Sequence, residues 1–176
     1  MGSIYNTPAW VTDGSITYET HEVVKDSSGK IWYATSSNDS TVAPAPDSEF
    51  WGGYINITID GATTVEPLFL WSPSYNVSTS HQPKIKSIQF GDGYEQRIKH
   101  GINNNKLDLN LSFEGRSELE ATAILHFLSA REGYQYFYFK PPAPYSRIKK
   151  FVCKTFNSTF VFADNYNVQA NFLEVS

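Results

Sequence analysis

Residues 107–114, LDLNLSFE, alternate apolar and polar side chains without a break, placing Leu107, Leu109, Leu111 and Phe113 on one face of a strand. One convincing helix comes next. Ser117 and Glu120 are spaced as a capping box, and Leu119, Ile124, Leu125, Phe127 and Leu128 form a stripe at helical spacing. Gly133 is placed to end that helix as its C′ residue, which predicts one helix over about 117–131. The surrounding sequence reads as strands: 66–72 (EPLFLWS), 84–90, 94–98, the aromatic run 134–140 (YQYFYFK), 148–156, 159–163 and 167–175. Pro141, Pro142 and Pro144 stop the aromatic run, and Asp164-Asn165 makes a tight turn. One helix among many antiparallel strands predicts a mainly β fold, an antiparallel β-sandwich or barrel with a single α-helix. Aromatics at 15% against charged residues at 18% suit a β-rich assembly or binding protein better than a helical bundle.

The first third of the chain is built differently. Residues 1–63 hold eight acids and two lysines, whereas residues 64–176 hold ten acids and twelve lysines and arginines. Such a break predicts two units, a small all-β module over 1–60 and a larger domain over 65–176. The module has short aromatic-bearing pieces around a polar, proline-broken loop at 35–49, with a turn at Asp26-Ser27-Ser28-Gly29. Residues 54–59 (YINITI) alternate and end on the turn Asp60-Gly61, so this strand either closes the module or opens the domain. The overall charge of −4 argues against nucleic-acid binding. No apolar stretch approaches the roughly 20 residues of a membrane span, so a soluble chain made in a cytoplasm is expected, without membrane insertion.

Motifs for catalysis are wanting. His21, His81, His100 and His126 are scattered, and no zinc, Cys–His or nucleophile-elbow pattern occurs. His126 has no His or carboxylate four residues away and is expected to be exposed or locally hydrogen-bonded. Cys153 is the only cysteine and reads as a buried, inert thiol. Gly91-Asp92-Gly93 lies between alternating runs with no helix or Lys-Ser/Thr after it, which makes it a hairpin tip and not a phosphate loop. Tyr94 and Arg97 fall on opposite faces of the following strand if it stays regular. The chain is therefore expected not to be an enzyme, and no metal or cofactor is expected. Two surfaces remain. Trp10, Trp32, Tyr33 and Trp51 either form a platform for sugar rings or make up the small core of the module. Trp32 and Tyr33, adjacent in one strand, are not both expected to face inward. Arg97, Lys99, Arg147, Lys149 and Lys150 form either a solvated strand face or a subunit contact.

Residues 65–176 resemble the minor tail protein M family of long-tailed, lambda-type bacteriophages. The resemblance rests on an ordered series: Phe69 and Trp71, then Phe90-Gly91-Asp92-Gly93-Tyr94-x-Gln96-Arg97, Gly101-Ile102-Asn103, and the strand 107–113. The capped helix with Leu125-x-x-Leu128 and Gly133 follows, then Pro141-Pro142, Tyr145-x-x-Ile148-Lys149 and Asn171-Phe172-x-Glu174-Val175. It implies a β-sandwich related to tail-tube and distal-tail domains, and a structural virion protein of the tail tip. It also implies assembly with itself as a ring, expected to be six-fold, between the distal tail protein and the baseplate hub. The tape-measure protein is a further expected neighbour, and assembly would take place in the host cytoplasm. No catalytic residues come with the family. Ring contacts are expected from 91–97 and 140–150, hence Asp92, Tyr94, Arg97, Pro141, Pro142, Tyr145 and Arg147. Residues 1–60 resemble small chitin-binding-type carbohydrate-binding modules through Trp10, Tyr18, His21-x-Val23-Val24, Gly29-Lys30-Ile31-Trp32-Tyr33-Ala34 and Phe50-Trp51. That likeness implies host surface polysaccharide as a partner; a spacer packed on a neighbouring ring is the alternative.

Overall fold

The computed structural model describes residues 7–39, 41–75, 77–81, 83–91, 93–99, 101 and 105–176. Five short strands come first: β1 (Thr17–Tyr18), β2 (Val23–Lys25), β3 (Ile31–Ala34), β4 (Asn38–Asp39) and β5 (Trp51–Gly52). β1 pairs with β4, and β2, β3 and β5 form an antiparallel sheet in that order. Asp26 organises the β2–β3 turn. Its Oδ1 accepts from Ser28 N at 2.8 Å and Lys30 N at 2.9 Å, while its Oδ2 accepts from Trp32 Nε1 at 2.8 Å.

Strands β6 (Tyr54–Ile59) and β7 (Ala62–Phe69) form a hairpin whose turn residues Asp60 and Gly61 have φ of 51° and 81°, the paired positive values of a tight hairpin turn. The remaining elements are β8 (Ser78–His81), β9 (Ile85–Gln89), β10 (Glu95–Lys99), β11 (Leu107–Arg116), α1 (Glu118–Ala130), β12 (Phe137–Phe139), β13 (Lys149–Phe162) and β14 (Asn165–Glu174). One seven-stranded sheet runs in the order β6-β7-β12-β13-β14-β11-β8. Its pairs are antiparallel except β7–β12, which is parallel. The fold is thus mainly β, with several antiparallel sheets and one helix among the described residues.

Alternation in β11 works as the sequence implies: Leu107, Leu109, Leu111 and Phe113 are buried. α1 covers them with Ala121, Ala123, Ile124, Phe127 and Leu128. Phe69 stands among edge-on rings of Trp71, Phe127, Phe139 and Phe172, with centroids 5.0, 5.5, 5.6 and 5.1 Å away. Such pairs favour one arrangement over others, beyond the area they bury.

Several local expectations change in three dimensions. The two expected strands over 148–156 and 159–163 form one, Lys149–Phe162, because bulges at Cys153/Thr155 and Phe160/Phe162 absorb the breaks in pattern. The aromatic run contributes only Phe137–Phe139 as strand, since 131–135 are still turning away from the helix. At the helix C-terminus, Arg131 is the cap, so the left-handed C′ position falls on Glu132 (φ 49°) and Gly133 continues left-handed. Only half the capping box forms. Ser117 accepts from Glu120 N, while the Glu120 carboxylate turns to Arg116 Nη1 at 2.7 Å.

Candidate functional site

The β9–β10 hairpin stands apart from the rest of the fold. Among the described residues it pairs only with itself, with Glu95 opposite Gln89, Gln96 opposite Ile88, Arg97 opposite Ser87, Ile98 opposite Lys86 and Lys99 opposite Ile85. Opposed residues share a face. One face therefore carries Ile88, Gln96, Ile98 and Lys86, and beyond them Phe90 and Tyr94, whose ring centroids are 6.0 Å apart. Phe90 N donates to Tyr94 O at 2.8 Å and closes the tip. The other face carries Ser87, Gln89, Glu95, Arg97, Lys99 and Ile85. There the Ser87 hydroxyl donates to Glu95, and Arg97 Nη2 donates to the same carboxylate at 3.2 Å. These two donors, Ser87 first, hold the Glu95 carboxyl below its usual range.

Among the described residues, no core covers the apolar face. Phe90 is 50% exposed, Tyr94 67% and Ile98 42%. Tyr94 and Arg97 do take opposite faces. Asp92 lies outside the described residues.

The proline loop is better anchored. Pro141, two residues beyond the core residue Phe139 that ends β12, is buried, so the surface contact expected of it has no basis in the single chain; Pro142 and Arg147 are exposed. Tyr145 is half-buried, with its hydroxyl hydrogen-bonded to His81 Nε2 at 2.6 Å, and His81 Nδ1 in turn is 3.1 Å from Asn105 Oδ1. Val77, Thr79, Leu109 and residues 141–145 enclose a small cavity of about 120 Å³.

The aromatic platform takes another form. Trp32, Tyr33 and Trp51 are 2%, 2% and 1% exposed, so protein covers their ring faces and they cannot stack on a sugar in this arrangement. Trp10 is half-buried against the same cluster. Trp32 and Tyr33 do point to opposite sides of β3, yet both sides are covered. Trp32 packs with Tyr18, Trp51 and Tyr54 in a small core, and Tyr33 enters the large core against Trp71 and Phe127, at 5.1 and 5.9 Å. The expectation that one must face outward assumed a strand with a single covered face. β6 joins the two regions: its backbone pairs with β7, while Tyr54 tilts onto Trp32 at 4.8 Å.

His126, expected to be exposed or locally bonded, is buried with long-range partners, Thr7 Oγ1 at 2.7 Å from Nε2 and Tyr33 Oη at 3.2 Å from Nδ1. Burial pushes its pKa down, and the Arg131 charge adds to that. The Cys153 thiol is buried and pushed up to about 11, so it stays protonated and unreactive at neutral pH. Sequence reasoning also overlooked the polar side of the alternating strands. Ser78, Asn110, Ser112, Thr155, Asn157 and Gln169 line a shallow hollow of about 410 Å³ without a charged side chain. The polar positions of β11 signal this face.

The phage minor tail protein family matches residues 67–176. Tail tip protein M of Escherichia phage lambda is 31% identical over 81 residues, which is 46% of this chain and 73% of that protein. The family match takes in the free hairpin, the proline loop and α1, and begins inside β7, after the aromatic N-terminal strands.

Proposed function

This chain belongs to the phage minor tail protein family, and on that premise we propose that it is a tail-tip subunit that joins copies of itself in a ring between the distal tail protein and the baseplate hub. Its work is structural, and a six-fold ring on the virion tail, assembled in the host cytoplasm, is the form we favour. The observation that supports this reading is the β9–β10 hairpin, whose apolar face is left uncovered by its own chain. A two-stranded hairpin in water is marginally stable at best. Covering Phe90, Tyr94 and Ile98 would contribute roughly 1.5–3 kcal/mol for each side chain fully buried, enough to order the hairpin as it docks. Arg97, on the opposite face, would lie at the polar rim of such a contact.

The test is assembly. Tyr94→Asp, which places a carboxylate in the apolar face, and Arg97→Glu, which also breaks the pair with Glu95, should each leave a folded chain by circular dichroism. Completed tails in the assembled virion should fall by at least tenfold. Normal particle yield from both variants would remove the hairpin from the interface.

A further inference from the structure

We propose that the basic hairpin of one copy docks on the acidic N-terminal strands of the next copy, an inference that rests on the ring reading above. The hairpin is inserted between β8 and β11, at the β8 edge of the seven-stranded sheet. The N-terminal strands lead through Gly53 into β6, which is the opposite edge. The chain thus joins the two features to the two opposite edge strands of one sheet. Copies set side by side in the same sense bring the hairpin of each against the N-terminal strands of its neighbour, a head-to-tail contact of the kind that closes rings.

The hairpin segment 83–101 carries Lys84, Lys86, Arg97 and Lys99 against Asp92 and Glu95, whereas residues 1–63 carry eight acids and two lysines. Among the described residues, Lys84, Lys86 and Lys99 make no ion pair, and none of the N-terminal acids pairs with a lysine or arginine. Glu19 and Glu49 are exposed. The proline loop is a poorer receiver for the hairpin, because Lys140, Arg147, Lys149 and Lys150 surround it with the same sign of charge. Apolar contact is available as well: Ile16 and Ile59 are exposed on the N-terminal side and can meet Tyr94 and Ile98. The segment that precedes the family match thereby acquires a role, as the receiver in a subunit contact.

Carbodiimide joins a lysine to a carboxylate only when the two are in contact, so it reads this interface in the natural chain. A 1:1 mixture of isotopically light and heavy chains should give light–heavy cross-links from Lys84, Lys86 or Lys99 to acids within 13–60. Lys86→Glu/Lys99→Glu should reduce the assembled mass to that of one 19.9 kDa chain, while Lys86→Arg/Lys99→Arg should assemble normally. Assembly that survives the glutamate variant, or hairpin cross-links confined to acids after residue 63, would overturn the docking and leave the ring intact. A natural chain that stays monomeric and gives no light–heavy cross-link would overturn the ring reading itself.

Discussion

A few side chains do more than their positions in the sequence announce. Asp26 accepts from two backbone amides and the Trp32 indole, so one carboxylate both shapes the β2–β3 turn and satisfies a buried donor. His126 ties the helix to Thr7 and Tyr33, and its environment makes stability depend on pH. Burial depresses its pKa in the folded chain, whereas an unfolded histidine titrates near 6.5. The folded state therefore binds fewer protons once the pH falls below that value, so stability present above about pH 6.5 is lost on acidification. His21 is also depressed, mainly by burial with Glu120 opposing, and acts in the same direction. The urea midpoint should be lower at pH 5 than at pH 7.5, and His126→Gln should narrow that difference. Identical midpoints for the natural chain at both pH values would contradict the assignment. Nothing in the local sequence announced His126, because its partners lie 119 and 93 residues away.

At the level of elements, periodicity identified the alternating strand and the capped helix because both patterns are local. Ser117 as cap was legible for the same reason, and so was a turn near 164, although it falls on Ala163-Asp164 and Asn165 already opens β14. Their linkage was not. Asp164 sits at the β13–β14 turn with φ of 54°, and its Oδ1 accepts from Glu118 N at 2.8 Å, satisfying a free amide in the first turn of α1. Asp164→Ala should lose that bond, worth about 1 kcal/mol, while its Cβ stays at positive φ, where it costs roughly 1–2 kcal/mol. Asp164→Gly should lose the same bond but relieve the Cβ strain at φ 54°. Urea unfolding should thus rank glycine as the milder change, against its usual order; an alanine variant as stable as the glycine variant would refute the double role. Bulges were illegible for a related reason: an extra residue in β13 is defined only by the partner residues of β14 that it fails to match.

For the whole molecule, the decisive feature is that β3 has a core on each side. Tyr33 and Val23 belong to the large core, while Trp32 and Val24 belong to the small one. Tryptophan fluorescence, which reports Trp10, Trp32 and Trp51 of the N-terminal strands together with Trp71, should lose its native signal at the same denaturant concentration as the helical signal. Tyr33→Ala should cost about 3–5 kcal/mol, the range for large aromatics cut back in cores. A separate, earlier tryptophan transition would mean that the two cores are only loosely coupled. The amino-acid order alone determined the β-rich class, the helix, the hairpin of β9 and β10 and the family, since each depends on neighbours a few residues apart or on motifs in a fixed order. Tertiary structure decided which aromatic faces are covered, that Pro141 is buried, and that the chain leaves the two edge strands of one sheet, β8 and β6, toward the hairpin and the acidic strands. Burial is a property of what packs on a residue, and in this chain the covering groups come from distant segments: Phe127 over Tyr33, Tyr54 over Trp32.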